Sequence, residues 1–370
     1  MKKKSLLVIF PDEWLSHSPT VLNLVTCLSD VFEIRVITID DGCFNNSELK
    51  DDRYTFIKIN SFLARNFLRR VKLFYHYFKT VLILLSVRKL NQQSVIDIVI
   101  GIDSHGLWIG QTIFQKAHFL SLEIEKDVFF RLLNKDHIES VAIQTKERAD
   151  YLFRPSLSNT FFLPNSPIIN KCTLISHSNR KYNKKIVLMG NLTPDHGLFQ
   201  CIDAIELNSN SDLSLTLKGF VYNSNVRTKL LSQYDHLFKQ NRLILDEYYT
   251  PQKDVTKFLS EFSIGFCLYD FSRISKDDFN YASCPSGKLY NYFAAGLAVI
   301  GTNILGLKAV REFKAGILLT NLSIESIHNA IEAIGNSFQQ YHENAFKAAE
   351  VYDFKQAVRP YKNFLLSKTN

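Results

Sequence analysis

The stretch 283–310, SCPSGKLYNYFAAGLAVIGTNILGLKAV, carries the strongest structural signal in this chain. A Pro-Ser-Gly break at 285–287 precedes a pattern that predicts a short helix over 288–295. Gly296 suits the left-handed end of that helix, and the apolar run 297–300 predicts a buried strand. A loop, a helix, a second loop and a strand in this order indicate one repeating unit of an α/β sheet protein.

The predicted helix has two different faces. Residues three and four apart share a face, so Lys288, Asn291 and Ala295 lie on one side and the large apolar residues on the other. The helix begins with a flexible Ser286-Gly287 pair, free backbone N–H groups and a lysine in its first turn. Such a helix start stabilises a phosphate group, and the first face is therefore a candidate ligand surface.

The same stretch resembles the donor-binding segment of GT-B glycosyltransferases, in particular the family-4 (group 1) nucleotide-sugar transferases of bacterial polysaccharide biosynthesis. Their version reads roughly Pro-Asn-Lys-Leu-x-Glu-Tyr-x-Ala-x-Gly-x-Pro-Val-Ile. The resemblance implies two Rossmann-like, doubly wound parallel-sheet domains that face a cleft, with a C-terminal helix that crosses back to the first domain. Two positions depart from the family: Asn291 replaces the glutamate that holds the ribose, and Ser283 replaces an earlier glutamate. Asn291 can still hydrogen-bond ribose hydroxyls, but it carries no charge.

A second segment of the chain carries the same resemblance. Residues 190–197, Gly-Asn-Leu-Thr-Pro-Asp-His-Gly, align with the family's Gly-Arg-Leu-x-x-x-Lys-Gly. Gly190 permits close approach of backbone to a phosphate. Asn191 and His196 stand where the family has its arginine and lysine, so the diphosphate is expected to depend on Lys288, the Ser286-Gly287 backbone and Arg273. Lys218 and Gly219 occupy an expected nucleotide-contact turn.

Composition sets the broad class of the protein. A chain of 370 residues with 46% hydrophobic and 22% charged residues is long enough for two globular domains. No apolar run is long enough to span a membrane, no signal peptide is visible, and the six cysteines show neither metal-type spacing nor a disulfide framework, so we expect a cytoplasmic protein. The net charge of +8 favours anionic partners without distinguishing a nucleotide from a membrane surface.

The first half of the chain is typical of a doubly wound sheet. Strand, helix and strand follow one another from residue 5 to residue 39, without the Gly-x-Gly-x-x-Gly of dinucleotide enzymes. The resemblance makes the loop residues Asp12, Glu13 and His17 candidates for acceptor contact; a solvated surface loop is the alternative.

Polar residues also follow two later strands of the first half. Asp103 and His105 come after the apolar run 95–102, where they either serve catalysis or cap the next helix. Glu123 follows the strand 118–122, and in the family alignment it falls beside the donor sugar. Because functional groups gather at the carboxyl ends of parallel strands, these three are the candidate catalytic residues. Glu123 is either a general base or a hydrogen-bond acceptor for a sugar hydroxyl.

The segment 61–90 is basic and aromatic. It carries seven Lys or Arg residues and no acidic residue. This composition suits a helix in an anionic membrane interface, and a core helix with a solvated basic face is the alternative. No nucleic-acid recognition module is visible.

The predicted domain boundaries follow from these segments: an acceptor domain at 1–167, a polar linker at 168–184, a donor domain at 185–350 and a crossing helix at 351–370. No Asp-x-Asp occurs, so no metal site is predicted, and helix dipole and cationic side chains would hold the diphosphate.

The resemblance implies a metal-independent, retaining hexosyltransferase in envelope polysaccharide biosynthesis, such as capsule or O-antigen. The basic segment 61–90 predicts that it lies at the inner face of the membrane. It would use a UDP- or GDP-linked sugar as co-substrate, need no cofactor and act on a glycan or lipid-linked acceptor. A non-catalytic nucleotide-sugar-binding or partner subunit, and a sugar-nucleotide epimerase, are the alternatives.

Overall fold

The computed structural model describes residues 3–40, 49, 51–59, 72–124, 126–153, 157–169, 180–207, 212–275 and 278–368. They form two compact domains. The first domain comprises Met1–Pro164 and Phe354–Asn370, and the second comprises Asn165–Asp353. The chain therefore enters the second domain once and returns to the first at its end.

The first domain is built on a seven-stranded sheet in the order β3-β2-β1-β4-β5-β6-β7, in which every pairing is parallel. Its strands are β1 (Lys4–Ile9), β2 (Phe32–Asp40), β3 (Tyr54–Lys58), β4 (Ile98–Ile102), β5 (Ala117–Ser121), β6 (Ile138–Ile143) and β7 (Thr160–Phe162). The strand order reverses between β1 and β4, the point at which open α/β sheets bind ligands beyond the carboxyl ends of their strands.

The second domain repeats this design with a six-stranded parallel sheet in the order β10-β9-β8-β11-β12-β13. Its strands are β8 (Lys185–Met189), β9 (Ser214–Lys218), β10 (Leu243–Asp246), β11 (Ile264–Cys267), β12 (Ala298–Thr302) and β13 (Gly316–Leu319). Here the order reverses between β8 and β11, which makes their carboxyl ends the corresponding ligand position.

Helices cover both sheets. Those of the first domain are Pro19–Leu28, Lys72–Gln93, Asp103–Phe114, Val128–Leu132, Lys146–Leu152, Phe354–Ala357 and Arg359–Ser367. Those of the second are Leu198–Glu206, Ser224–Gln233, Asp235–Lys239, Gln252–Leu259, Phe279–Ser283, Gly287–Ala294, Lys308–Glu312, Ile324–Asn336 and Phe338–Val351. No helix in the described ranges is both long enough and apolar enough to cross a membrane.

The stretch 283–310 forms the predicted unit of loop, helix, loop and strand. The helix is Gly287–Ala294, Gly296 has a left-handed φ of 70°, and the following strand is β12. Tyr292 packs against the sheet at Gly265, where a Cβ would lie 2.5 Å from the tyrosine ring. Glycine at 265 therefore lets the helix lie close to β11, and the two-domain α/β fold class predicted from this stretch is confirmed.

Other predictions need adjustment. The sequence pattern did not indicate β3 or β13, and the crossing helix predicted at 351–370 is broken into separate pieces. The break falls at Asp353, whose carboxylate accepts the Ile169 backbone N–H at 3.0 Å. The boundary between the two domains lies at Pro164–Asn165, a few residues before the predicted linker 168–184. Residues 170–179 of that linker lie outside the described residues.

Part of the basic segment 61–90 packs inside the first domain. Residues 61–71 lie outside the described ranges, and the remainder belongs to the helix Lys72–Gln93. Lys79 on this helix is 3% exposed, and its Nζ lies 2.9 Å from Asp12 and 3.3 Å from Glu13. Lys79 is not available to a membrane surface, because its charge is used in a buried ion cluster, and membrane contact through the rest of the segment 61–90 stays a prediction.

Lys79→Ala should destabilise the protein by about 3 kcal/mol, because it leaves two largely buried carboxylates without their cation. Urea unfolding measures the change. Lys89→Ala is the matched control, since Lys89 is exposed on the same helix and its loss should shift the free energy of unfolding by less than about 0.5 kcal/mol. Equal effects of the two substitutions would contradict the role assigned to Lys79.

Candidate functional site

Two glycines bring backbone together at the carboxyl edge of the second sheet. Gly190 follows β8 with φ 107°, and Gly219 follows β9 with φ 148°. A Cβ on Gly219 would lie 1.9 Å from the Gly190 carbonyl oxygen, whereas a Cβ on Gly190 would meet no protein atom within 4 Å. Only glycine fits at 219, and open space beside Gly190 leaves its backbone accessible to a ligand.

Three side chains from different segments meet next to this edge. Tyr269 follows β11, and its buried ring lies 5.4 Å from the His196 ring, centroid to centroid. The Lys288 Nζ lies 5.7 Å from the same Tyr269 ring, within cation–π distance. Tyr269 therefore joins the 190–197 segment to the helix that begins at Gly287.

Lys288 is the cation of this group. It is half-buried, and burial lowers the pKa of its ammonium below the ordinary value. Within the described part of the chain Lys288 makes no hydrogen bond or ion pair, so an anion would be its first charged partner. Ser286 makes no side-chain capping bond at the start of the helix, which leaves N–H groups of the first turn for the same anion.

His196 cannot replace the family's lysine as a cation. Burial, reinforced by the Lys288 charge, lowers the pKa of His196 to about 4. The imidazole is neutral at pH 7, and its Nδ1 lies 3.1 Å from the Thr193 hydroxyl. His196 can therefore offer a hydrogen bond to a ligand but no charge.

The two positions that depart from the family are both used inside the second domain. Ser283 is buried, and its hydroxyl donates to the Phe279 carbonyl at 2.6 Å. The Asn291 amide donates to the Gly287 carbonyl at 2.9 Å, one turn back on its own helix. Its Oδ1 is buried without a hydrogen-bond partner among the described residues. In this arrangement the Asn291 amide orders the first turn of the helix, and its contact with a ribose stays a prediction.

The remaining candidates for donor contact differ in their burial and in the partners that already hold them. Lys218 is buried, with its Nζ 2.9 Å from Asp246 and 2.6 Å from the Tyr248 carbonyl. The Arg273 side chain is 54% exposed, and its Nε lies 3.5 Å from the Asp270 carboxylate. Asn191 is exposed. Lys218 is thus held by β10 and its loop, while Arg273 and Asn191 can turn toward a ligand.

A pocket of about 800 Å³ opens in the first domain beside the carboxyl ends of β1, β4 and β5. Four of the sequence-predicted residues line it, namely Asp12, Asp103, His105 and Glu123. The structure therefore brings together residues that are up to 111 positions apart, taken from three separate strand ends.

Asp103 holds the polar end of this pocket in place. Its carboxylate accepts the backbone N–H of Leu122 at 2.7 Å and of Glu123 at 3.0 Å, tying the start of one helix to the end of β5. Burial raises the pKa of Asp103 well above its usual range, and the nearby charges of Glu123 and Asp12 raise it further. Its φ of 52° is uncommon for a residue with a side chain, although aspartate adopts this left-handed region more readily than most.

Glu123 is exposed at the pocket, so a bound hydroxyl can reach its carboxylate. Its backbone is fixed at both ends, since its N–H donates to Asp103 and its carbonyl accepts the Ser121 hydroxyl at 2.9 Å. A fixed main chain with an accessible carboxylate suits either of the roles predicted for this residue.

His105 supports the wall of the pocket. Its ring is stacked on Phe129 at 4.3 Å, and burial lowers the pKa of His105 to about 3. The Thr80 hydroxyl lies 2.7 Å from the His105 Nε2 and 2.7 Å from the His76 carbonyl. Because the one hydroxyl hydrogen goes to the carbonyl, we assign the proton of the neutral imidazole to Nε2. His105 is thus a positioning residue with no charge at pH 7.

The acceptor candidates in the loop after β1 are separated by the structure. Glu13 is buried. Its carboxylate accepts a hydrogen bond from the Tyr75 hydroxyl at 2.5 Å and forms an ion pair with Lys79. His17 lies in the 3₁₀ turn Leu15–His17, its Nδ1 3.0 Å from the Ser16 hydroxyl, and it is not among the pocket residues. Of these three, Asp12 alone lines the pocket.

Sequence reasoning missed the apolar part of the pocket and the joining role of Tyr269. The aromatic residues Trp14, Trp108 and Phe129 come from one loop and two helices, and no local sequence pattern predicts that they converge. In the described ranges no group of three or more His, Cys, Asp or Glu side chains is arranged to hold a metal ion.

Comparisons with known proteins find similarity at the level of structure. No protein-family model and no curated protein matches the sequence. The fold of HepE from Anabaena, solved with UDP and glucose, matches with TM-score 0.67 and 12% identity over 99% of this chain and 100% of that chain. The trehalose 6-phosphate synthase of Burkholderia multivorans matches with TM-score 0.62 and 12% identity over 99% of both chains.

A third similar structure is a putative UDP-N-acetylglucosamine 2-epimerase from Listeria monocytogenes, with TM-score 0.57 and 16% identity over 98% of this chain and 95% of that chain. Together with the two doubly wound parallel sheets, these matches show that the chain has the GT-B fold.

Proposed function

We propose that the protein is a glycosyltransferase that moves a sugar from a UDP- or GDP-linked donor to a glycan or lipid-linked acceptor. One observation carries the proposal: Lys288, without a charged partner in the described ranges, stands in the first turn of a helix whose start has no side-chain cap. This is a site for a diphosphate. HepE, which shares the fold, was solved with UDP-glucose.

The donor diphosphate would lie against Lys288, the first-turn N–H groups of Gly287–Ala294 and the backbone at Gly190. Arg273 would add a second cation, since its side chain is exposed. This set provides charge without a metal ion, so the proposal includes metal-independent transfer. The open space beside Gly190 supports this placement, because no side chain has to move for a phosphate to approach.

The acceptor would bind in the first-domain pocket, with Glu123 on its reacting hydroxyl. Asp103 and His105 hold the surrounding backbone and wall, and they act through position and not through charge. Membership of family 4, retention of anomeric configuration, a role in envelope polysaccharide assembly and a location at the inner face of the membrane remain parts of the proposal. They rest on the two aligned motifs and on the basic segment 61–90.

Two other functions are supported by specific observations. The commitment of Ser283 and Asn291 to internal hydrogen bonds favours a binding subunit without catalysis. The structural match to a putative epimerase favours conversion of a nucleotide sugar with no acceptor.

The deciding experiment incubates the purified protein with UDP- and GDP-sugars, with and without glycan or lipid-linked acceptors. Acceptor-dependent release of UDP or GDP, with a lengthened acceptor, is the expected result. A nucleotide sugar that binds without turnover under any of these conditions would favour the binding subunit. A nucleotide sugar that changes without acceptor would favour the epimerase.

A further inference from the structure

A second cavity lies in the second domain, at the outer edge of its sheet beside β13. Its volume of about 390 Å³ falls within the range that small organic ligands occupy. It shares no lining residue with the first-domain pocket, and none of the residues assigned to the donor diphosphate lines it. This edge cavity is therefore separate from both sites of the proposed transfer reaction.

The backbone of β13 supplies unpaired polar groups to the edge cavity. β13 ends the sheet order, and β12 is its neighbour on one side. The Val299 N–H donates to the Ala315 carbonyl at 3.0 Å, so the N–H of the same peptide group, which belongs to Gly316, points away from β12. The alternation of a parallel ladder likewise turns the N–H and carbonyl of Leu318 outward. Both Gly316 and Leu318 line the cavity, where these groups take partners from water or from a ligand.

Two cations line the same cavity. Arg311 lies on the helix Lys308–Glu312, and Lys314 lies in the turn that leads from this helix to β13. The turn is held in place, because the Lys314 N–H donates to the Arg311 carbonyl at 3.1 Å and the Lys314 carbonyl accepts the Asn344 amide at 3.1 Å. Among the described residues neither side chain of this pair forms an ion pair or a hydrogen bond, and no aspartate or glutamate lines the cavity.

This charge pattern indicates the anionic part of a ligand. An arginine fork and a lysine ammonium together match the oxygen atoms of a phosphate group. A phosphate monoester carries close to two negative charges at pH 7, so one such group would balance both cations of the cavity.

The rest of the lining indicates the neutral part of the ligand. Asn303, Gln340 and Tyr341 contribute amide and phenol groups, which both donate and accept hydrogen bonds. The outward N–H and carbonyl groups of β13 do the same. Hydroxyl groups have this dual character as well, and the cavity is larger than a phosphate ion, so a polyhydroxylated ligand fits it better than an apolar one.

We propose that the edge cavity binds a sugar phosphate of about the size of a hexose monophosphate. Its phosphate lies between Arg311 and Lys314, and its hydroxyl groups lie against the edge of β13 and the neutral side chains. This ligand is neither the nucleotide-sugar donor nor the acceptor, and the assignment goes beyond the proposed function without depending on it.

Calorimetric titration of the purified protein with glucose 6-phosphate, glucose 1-phosphate, inorganic phosphate and glucose tests the ligand class. At least one hexose phosphate should bind about tenfold more tightly than either glucose or inorganic phosphate, because it alone uses both parts of the cavity. Equal affinity for inorganic phosphate would show that the site takes the free ion only. That result, or no measurable binding of either hexose phosphate, would overturn the proposal.

A matched set of substitutions locates the ligand. Arg311→Ala and Lys314→Ala should each weaken hexose phosphate binding about tenfold or more, since each removes a charge-assisted hydrogen bond. Both side chains are exposed, so the variants should fold. Lys253→Ala is the control, because Lys253 is an exposed lysine of the same domain that does not line the cavity. Equal affinity of all three variants would refute the assignment.

A hexose phosphate could instead bind at the proposed diphosphate position, and Lys288→Ala distinguishes the two places. This variant should bind the hexose phosphate like the unchanged protein. Binding that is lost in Lys288→Ala and kept in Arg311→Ala would place the phosphate at the donor site and overturn the proposal. The titrations contain no nucleotide sugar, so their result stands whether or not the protein proves to be a transferase.

Discussion

Glu123→Gln should lower turnover about a hundredfold or more at saturating donor and acceptor, with little change in donor affinity. A positioned general base accelerates a reaction by a factor of about 10²–10⁴. Glutamine keeps the shape of the glutamate side chain but removes its basicity. The backbone of Glu123 is held by Asp103 and Ser121, so the substitution should not move the loop. Initial rates of nucleoside diphosphate release measure the effect.

The control for Glu123→Gln is the same glutamate-to-glutamine change at the opposite edge of the sheet. Glu33 is exposed near the amino end of β2, where it pairs only loosely with Arg35 at 3.3 Å. Glu33→Gln should leave turnover unchanged. A moderate loss in Glu123→Gln, below about tenfold, would identify Glu123 as a hydrogen-bond acceptor that positions the sugar, and a native rate would remove it from the reaction.

Lys288→Ala should weaken binding of the nucleotide sugar about ten- to a hundredfold. A charge-assisted hydrogen bond contributes about 1.5–3 kcal/mol, and about 1.4 kcal/mol corresponds to a factor of ten. His196, with its pKa of about 4, brings no charge at pH 7 that could compensate. Isothermal titration with UDP- and GDP-sugars measures the affinity.

Lys185→Ala is the matched control for Lys288. Lys185 is exposed at the first position of β8, at the amino edge of the same sheet, and its loss removes an equal charge from the second domain. Donor affinity should not change in this variant. If both variants bind equally well, or if Lys288→Ala binds like the unchanged protein, the diphosphate does not lie at the start of the Gly287–Ala294 helix.

Local sequence patterns were sufficient to predict secondary structure where it depends on interactions within one short segment. The break, helix, left-handed glycine and strand around Lys288 appear at the predicted places, because caps, helix period and buried apolar runs act over a few residues. The side-chain partners could not be predicted in this way. Lys79 is part of a basic segment in the sequence, and only the packing of its helix against the loop after β1 turns it into the partner of Asp12 and Glu13.

The same distinction explains the candidate site. Topology predicted Asp103 and Glu123, since parallel strands present their carboxyl ends at one edge, whereas Asp12 came from the family resemblance. The conformations of Asn291 and Ser283 depend on whether a helix carbonyl lies within reach, and no sequence pattern gives that. The apolar side of the pocket depends on Trp14, Trp108 and Phe129 converging from distant segments, which requires the tertiary structure.

The first domain is assembled from two pieces of chain, and this has a consequence for synthesis on the ribosome. Tyr361 from the final helix is fully buried in it and packs on Phe161 at 5.3 Å. Residues 1–164 therefore emerge without part of their core and wait while some two hundred further residues are translated, on the order of ten to forty seconds. The second domain, which is continuous, can finish folding first. Premature termination after Asp353 would thus leave an intact second domain attached to a first domain with an open core, a form that chaperones and proteases would recognise.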